Sequence, residues 1–129
     1  MGTEMWWGTD TAGRRFGVIC DRRLGQFTAI LRCTAGPLAA IEQGTVPGWG
    51  QFLAEAAASG DLATIATARP HRGRDAHITL TWQARTTPGI DDPAVMIGEL
   101  ASRIPALCER LGCYQVIAAP MSDHELSTT

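Results

Sequence analysis

A change of hydrophobic period within residues 49–69 is the feature that most constrains how this chain folds. Apolar residues in the first half recur at spacings of three and four, as on one face of a helix, and they are Trp49, Phe52, Leu53 and Ala56. Gly60 suits the end of that helix, because glycine enters the left-handed conformation without a Cβ penalty. Residues 62–68 then alternate as a half-buried strand does. The chain therefore contains both helix and strand, and this stretch predicts packing rather than reactive chemistry.

Two alternating segments joined by a short turn predict a β-hairpin. The first strand covers 15–21, the second covers 26–33, and Arg22-Arg23-Leu24-Gly25 form the turn, where Gly25 is available for positive φ. The predicted cross-strand pairs are Asp21–Gln26, Cys20–Phe27 and Phe16–Leu31. In this register the larger apolar residues share one face of the sheet.

Four further elements follow the turn signals in the second half of the chain. They are a strand at 77–85, a helix at 94–111 that contains Pro105, a strand at 113–119, and the start of a helix capped by Ser122 or Asp123. The predicted element order is β-β-α-β-β-α-β. The fold predicted is α+β, a mostly antiparallel sheet with two amphipathic helices packed on one face.

The length of 129 residues fits one domain with a continuous core. We expect residues 14–129 to form that single α+β domain, truncated at its C-terminus. Residues 1–13 have no clean periodicity, and they are interpreted as an N-terminal arm or a vector-derived junction. Trp6 and Trp7 need an apolar surface, on the domain or on a neighbour.

Composition excludes several classes of function. Hydrophobic residues make up 45% and charged residues 19%, which is typical of a folded soluble domain and argues against disorder. A net charge of −2 gives no overall electrostatic drive toward nucleic acid. No apolar run approaches the ~20 residues needed to cross a bilayer. The four cysteines, at 20, 33, 108 and 113, are interpreted as buried free thiols.

Arginines concentrated in two turns are the candidate binding residues. They are Arg22 and Arg23 in the hairpin turn and Arg69, Arg72 and Arg74 in the polar turn at 69–76. Together they would bind an acidic partner surface or phosphate. Nucleic-acid contact through these turns stays open as an alternative, although the net charge and the lack of stacking aromatics disfavour it.

No catalytic or cofactor motif accompanies these arginines. Phosphate loops, dinucleotide fingerprints and nucleophile elbows are absent from the sequence. His71 and His77 flank a turn beside Asp75, but no Cys or His pair has metal-finger spacing, so ordinary loop histidines are the interpretation. We predict a domain that is not an enzyme and has no cofactor and no metal. A small stand-alone enzyme with an arginine-lined cleft remains the alternative.

Three motifs, in order, resemble a family of actinobacterial membrane proteins from integrative conjugative elements. WGQFL at 49–53 resembles the family's W-G-Q-W/F-L, PAL at 105–107 resembles its P-x-L, and MSDHEL at 121–126 resembles its M-x-x-x-E-L. The resemblance runs from about Arg14 to the C-terminus. Family members carry PrgI-like N-terminal transmembrane helices, which this chain lacks. They also usually have a longer helical insertion where this chain has only residues 69–76.

The resemblance implies a cytoplasmic piece of an inner-membrane-associated protein in a type IV secretion-like conjugation machine. Its implied role is non-catalytic: docking a VirB-type conjugation ATPase and other subunits of the complex. Any membrane contact would come from segments that this chain does not contain. The nearest rival is the EccE component of type VII secretion, also an actinobacterial membrane protein with a hairpin-rich domain.

Overall fold

A computed structural model describes residues 3–35, 51, 62–68, 75–83 and 93–127. These residues form an α+β fold whose six-stranded sheet is antiparallel at every pairing. The strands are β1 (Thr3–Thr9), β2 (Arg15–Asp21), β3 (Gln26–Ala35), β4 (Leu62–Ala68), β5 (Ala76–Gln83) and β6 (Ile117–Pro120). The helices are α1 (Pro93–Gly112) and α2 (Asp123–Ser127). The strand order is β1-β2-β3-β5-β4, with β6 paired to β3.

The predicted hairpin of β2 and β3 is confirmed near its turn. Asp21 pairs with Gln26 and Cys20 pairs with Phe27, as the alternation predicts. The ladder ends at Ile19, however, so the predicted pairing of Phe16 with Leu31 is wrong.

Phe16 and Leu31 do not pair because β6 pairs with the same edge of β3. Leu31 pairs with Pro120 of β6, and the Met121 N–H donates to the Ile30 carbonyl at 2.9 Å. The Gly17 N–H in turn donates to the Met121 carbonyl at 2.9 Å. The last strand therefore separates the first half of β2 from β3.

Residues 1–13, for which the sequence predicts an arm or a junction, contain a strand of the sheet. β1 pairs with all of β2 in one unbroken register, from Thr3 opposite Asp21 to Thr9 opposite Arg15. Threonine and aromatic residues favour strands, and this run contains Thr3, Trp6, Trp7 and Thr9. The observed element order thus begins with a strand that the predicted order lacks.

One face of the sheet and α1 enclose the core. The alternating apolar residues of β2, β3 and β5 are all buried there, and so is the apolar stripe of α1. Cross-strand pairs such as Phe27–Trp82 and Leu31–Ile78 lie side by side in this layer. Burial of such large side chains, at roughly 25 cal/mol per Å² of apolar area, is the main stabilising term. The half-buried strand predicted at 77–85 is confirmed over 77–83 as β5, and residues 84–85 lie outside the described residues.

The helical hydrogen bond that Pro105 removes from α1 is replaced by a bond from outside the helix. Proline has no N–H, so the carbonyl of Ala101, four residues earlier, loses its helical donor. The Thr11 N–H occupies that carbonyl at 2.9 Å. The turn between β1 and β2 is thereby attached to the helix at the point where the proline interrupts the helical hydrogen bonds.

The chain after α1 differs from its prediction. The last strand was expected at 113–119, but residues 113–115 continue as turns and Gln115 adopts a positive φ of 64°. The strand β6 therefore begins later and is short. The helix start after it is confirmed: the Ser122 hydroxyl accepts from the Glu125 N–H, and the Glu125 carboxylate accepts from the Ser122 N–H, both at 3.2 Å.

The two described helices lie on opposite faces of the sheet. A Cβ on Gly8, which pairs with Phe16, would meet Ile97 of α1, whereas one on Gly17 would meet the backbone of Asp123 in α2. The helix predicted from Trp49 lies outside the described residues except for Gln51, which is helical. Among the described residues, no helix has the length and apolarity needed to cross a membrane.

Candidate protein-interaction surface

The sheet does not bring the two predicted arginine turns together. Arg22 and Arg23 follow Asp21, at the end of the sheet where Gln26 pairs with Gln83. Arg69, Arg72 and Arg74 lie outside the described residues. The strand ends that flank them, at 68 and 76, belong to the opposite end of the sheet, where 76 pairs with 33. The two ends lie seven positions apart along β3, which is about 24 Å at ~3.4 Å per residue.

Arg22 is engaged by β1 rather than free for a distant partner. Its Nε donates to the Glu4 carboxylate at 2.5 Å, and its guanidinium lies 5.9 Å from the ring centroid of Trp6. Glu4 and Trp6 pair with Cys20 and Val18, so this group lies on the core face of the sheet. The structure therefore places one predicted binding residue beside the edge strand.

A second Trp–Arg pair lies on the opposite face of β1. The Arg15 guanidinium lies 3.8 Å from the Trp7 ring centroid. It also donates to both carboxylate oxygens of Asp123, at 2.7 and 3.0 Å. This hydrogen bonding by Arg15 lowers the pKa of Asp123. Trp7 remains 52% exposed and Met5, on the same face, 42% exposed.

The outer edge of β1 has no strand partner among the described residues. The Asp10 N–H donates to the Arg14 carbonyl at 2.8 Å, so the pair next to Thr9–Arg15 is hydrogen-bonded. Hydrogen-bonded pairs alternate along an antiparallel ladder. The even residues of β1 therefore bond to β2, and the backbone groups of Thr3, Met5, Trp7 and Thr9 point outward.

Gly17 supports this assignment independently. It pairs with Trp7, and its N–H donates away from β1, to Met121. That direction is the one required if the Trp7–Gly17 pair is not hydrogen-bonded. We define the β1 edge surface as β1 together with Arg15, Arg22 and Asp123.

Within the described part of the chain, the β1 edge surface lacks three common protections of an edge strand. Proteins commonly block such edges with lysine, proline or a bulge. The seven residues of β1 contain neither lysine nor proline, and their pairing with β2 shows no register shift. Trp and Arg are enriched at the energetic centres of protein interfaces. The surface is therefore chemically suited to bind another protein.

An open groove of about 560 Å³ lies elsewhere, between α1 and β6. Arg14 and Cys108 line it, and Ile117 at its rim is 63% exposed. Arg14 forms an ion pair with the buried Asp10 at 3.3 Å and donates to the Ala118 carbonyl at 3.4 Å. Asp10 also accepts from two backbone N–H groups of its own turn, at 2.8 and 2.9 Å. These contacts hold the turn together.

The three buried cysteines are poor nucleophiles because of their burial. Burial raises the pKa of Cys20, of Cys108 and, to about 12, of Cys33. A raised pKa keeps each thiol protonated and therefore weakly nucleophilic at neutral pH. Among the described residues, no group of three or more His, Cys, Asp and Glu side chains is placed to hold a metal ion. His71 lies outside them.

Sequence reasoning missed β1 and its two Trp–Arg pairs. The adjacent tryptophans Trp6 and Trp7 predict contact with an apolar surface, but a run without alternation does not indicate a strand. The signal present was composition, since Thr and Trp are both enriched in strands. Comparison with known proteins found no matching family model, curated protein or solved structure.

Proposed function

We propose that this chain is a non-catalytic interaction domain that joins subunits of a larger complex. Its binding site is the β1 edge surface. One observation supports the proposal above all others: a regular seven-residue edge strand carries outward backbone groups and one Trp–Arg pair on each face. Such an edge binds an added strand through main-chain hydrogen bonds, with side-chain contacts supplying specificity.

The complex in this proposal is a type IV secretion-like conjugation machine. The domain docks its VirB-type ATPase and other subunits on the cytoplasmic side of the inner membrane. Only the ordered motifs at 49–53, 105–107 and 121–126 support this part of the proposal. In the same arrangement the helix predicted from Trp49 packs beside α1, on the core face of the sheet.

The alternatives have less support. An enzyme with an arginine-lined cleft needs the two turns to meet, whereas the strand ends that flank them lie at opposite ends of the sheet. Nucleic-acid contact through the arginine turns needs free cationic groups, and Arg22, in the first of those turns, is paired with Glu4. A role in type VII secretion would use the same surface, and gene neighbourhood distinguishes it from conjugation.

A pull-down of the ATPase by the purified domain tests the proposal. Met5→Pro removes an outward N–H of β1 without touching the bonds to β2, because proline is tolerated at such edge positions. Met5→Thr is the matched control, since it also loses the Met side chain but keeps the N–H. We expect the wild type and Met5→Thr to bind at low salt and Met5→Pro to lose binding at least tenfold.

Two results would contradict the proposal separately. A folded wild-type domain that does not bind the ATPase at low salt rejects the ATPase as its partner. Equal binding by Met5→Pro and Met5→Thr rejects the β1 edge as the binding site. Circular dichroism of each variant verifies that the sheet is retained.

A further inference from the structure

The sequence of β1 is complementary to itself across a two-fold axis. Two copies related by such an axis, perpendicular to the sheet, meet as antiparallel strands through identical edges. Hydrogen bonding then requires outward residues to face outward residues. The register that overlaps all seven residues places Trp6 opposite Trp6, Met5 opposite Trp7 and Thr3 opposite Thr9.

In that register every outward backbone group of Thr3, Met5, Trp7 and Thr9 gains a partner. Met5 of each copy lies across from the half-exposed Trp7 of the other, and thioether–aromatic contacts are favourable. The two Trp6 residues form a non-hydrogen-bonded pair, the closer of the two kinds of cross-strand pair. All the backbone groups of the edge are thus satisfied in one arrangement.

Charge also favours a second copy over a charged partner. Glu4, the one charged residue in β1, lies opposite Gly8 in this register, so no like charges meet. Around the strand, Arg22 is paired with Glu4, and Arg15 with Asp123. The β1 edge surface is therefore neutral in sum, and it offers no net charge with which to select a strongly acidic or basic segment.

We propose that the occupant of the β1 edge surface is β1 of a second copy of this chain, which joins two six-stranded sheets into one. This inference rests on the proposed function and names the subunit that the edge binds. The ATPase then docks on the assembled dimer, so Met5→Pro, which prevents dimerisation, also weakens ATPase binding.

Sedimentation equilibrium of the full chain tests the inference over concentrations from about 1 µM to 1 mM. We expect the mass of the wild type and of Met5→Thr to rise with concentration from 13.8 kDa toward twice that value. Met5→Pro should stay at the monomer mass. A wild type that remains monomeric throughout, or a Met5→Pro variant that dimerises like Met5→Thr, would overturn the inference.

A cross-linking experiment tests the register and does not depend on Met5→Pro folding. In a Cys113→Ser background, Trp6→Cys places two thiols opposite each other at the two-fold axis, and oxidation should yield a disulfide-linked dimer. Glu4→Cys is the control, because its two copies lie four residues out of register, roughly 14 Å apart. Equal cross-linking of the two variants, or none by Trp6→Cys, would contradict the register.

The failure of the inference is distinguishable from that of the proposed function. If the wild type is monomeric but its binding to the ATPase is still abolished by Met5→Pro, the edge binds a strand of the ATPase itself. That result overturns the homodimer and supports the interaction domain.

Discussion

At the scale of single residues, burial determines which cysteines can react. Cys20, Cys33 and Cys108 lie in the core, whereas Cys113 is exposed at the turn after α1. The sequence interpretation of four buried thiols is therefore wrong for Cys113. Its position follows from the chain leaving the helix at Gly112 and turning, instead of entering a strand.

Thiol titration with an aromatic disulfide reagent checks this assignment. We expect one thiol per chain to react rapidly in the native protein and four to react after denaturation, because the thiolate must form and be accessible. Cys113→Ser should remove the rapid phase and leave the slow reaction unchanged. Rapid reaction of two or more native thiols would contradict the burial of the core cysteines.

Alanine substitutions at two glycines are predicted to change the free energy of unfolding in opposite directions. A Cβ on Gly17 would lie 2.6 Å from backbone atoms of Asp123, while one on Gly98, within α1, meets nothing within 4 Å. Gly17→Ala should lower the free energy of unfolding by about 1–3 kcal/mol through overpacking. Gly98→Ala should raise it by roughly 0.5–1 kcal/mol through helix propensity. Urea unfolding measures both, and a neutral Gly17→Ala would show that α2 does not pack there.

At the scale of elements, the interruption of α1 at Pro105 is linked to the β1–β2 turn by a hydrogen bond. A proline inside a helix ordinarily costs about 3 kcal/mol. Here the carbonyl that it frees is used by Thr11, and Asp10 organises the rest of the turn through Arg14 and two backbone N–H groups. The turn positions β1 and Arg15, so the helix indirectly supports the β1 edge surface.

Amide hydrogen exchange of Pro105→Ala tests this coupling. The new N–H at 105 competes for the Ala101 carbonyl, and the Thr11 amide should exchange faster than in the wild type. Pro93→Ala, at the first position of α1, is the control, because the amide of a first helical residue has no helical acceptor. Unchanged protection of Thr11 in Pro105→Ala would show that the two bonds do not compete.

At the scale of the whole molecule, titration of buried groups makes stability depend on pH. Burial raises the pKa of Cys33 from 9.0 to about 12. A group whose pKa is raised in the folded state contributes stability below its unfolded pKa, and that contribution is lost as pH rises toward the folded value. On the polar face, His77 has the opposite shift: partial burial first, then the Arg32 guanidinium, lower its pKa from 6.5.

The alkaline prediction is a loss of stability between about pH 9 and pH 12. The free energy of unfolding, measured in urea under reducing conditions, should fall as pH rises above 9, because the unfolded chain releases the thiol proton first. Cys33→Ala should be less stable at pH 7 but show a shallower fall above pH 9. An equal slope in both proteins would contradict the assignment to Cys33.

The acid prediction concerns His77. Because its pKa is lowered by folding, the unfolded chain binds the proton more readily, and stability should fall as pH drops below 6.5. His77→Gln should reduce the fall in the free energy of unfolding between pH 6.5 and pH 5, measured by urea unfolding. An equal fall of stability in His77→Gln and in the wild type would contradict the assignment to His77.

Local patterns in the sequence predicted much of the fold. Alternation indicated β2, β3, β4 and β5, and the register at the hairpin turn is as predicted. The apolar stripe indicated α1, and Ser122 was identified as a helix cap. Each of these features depends on residues close together in the chain, since a turn or a period of burial is a property of one segment.

The candidate site was less predictable. The sequence predicts Arg22 as a candidate binding residue but does not indicate its partners Glu4 and Trp6, because β1 lacks alternation. The grouping of all five arginines assumed that two turns are neighbours, and the sheet register places their flanking strand ends apart. A strand with alternating apolar residues can pair with any of several other strands and still bury the same face. Alternation therefore says little about strand order.

By itself, then, the sequence determined that the chain is α+β, which faces of its strands and helix are apolar, and that the hairpin turns at Arg22–Gly25. Only the tertiary structure decided that β6 enters between β2 and β3 and that β1 becomes the outer edge strand. The physical reason is that periodicity reports the burial of side chains within a segment, whereas strand order depends on competition among distant segments for the same backbone hydrogen bonds.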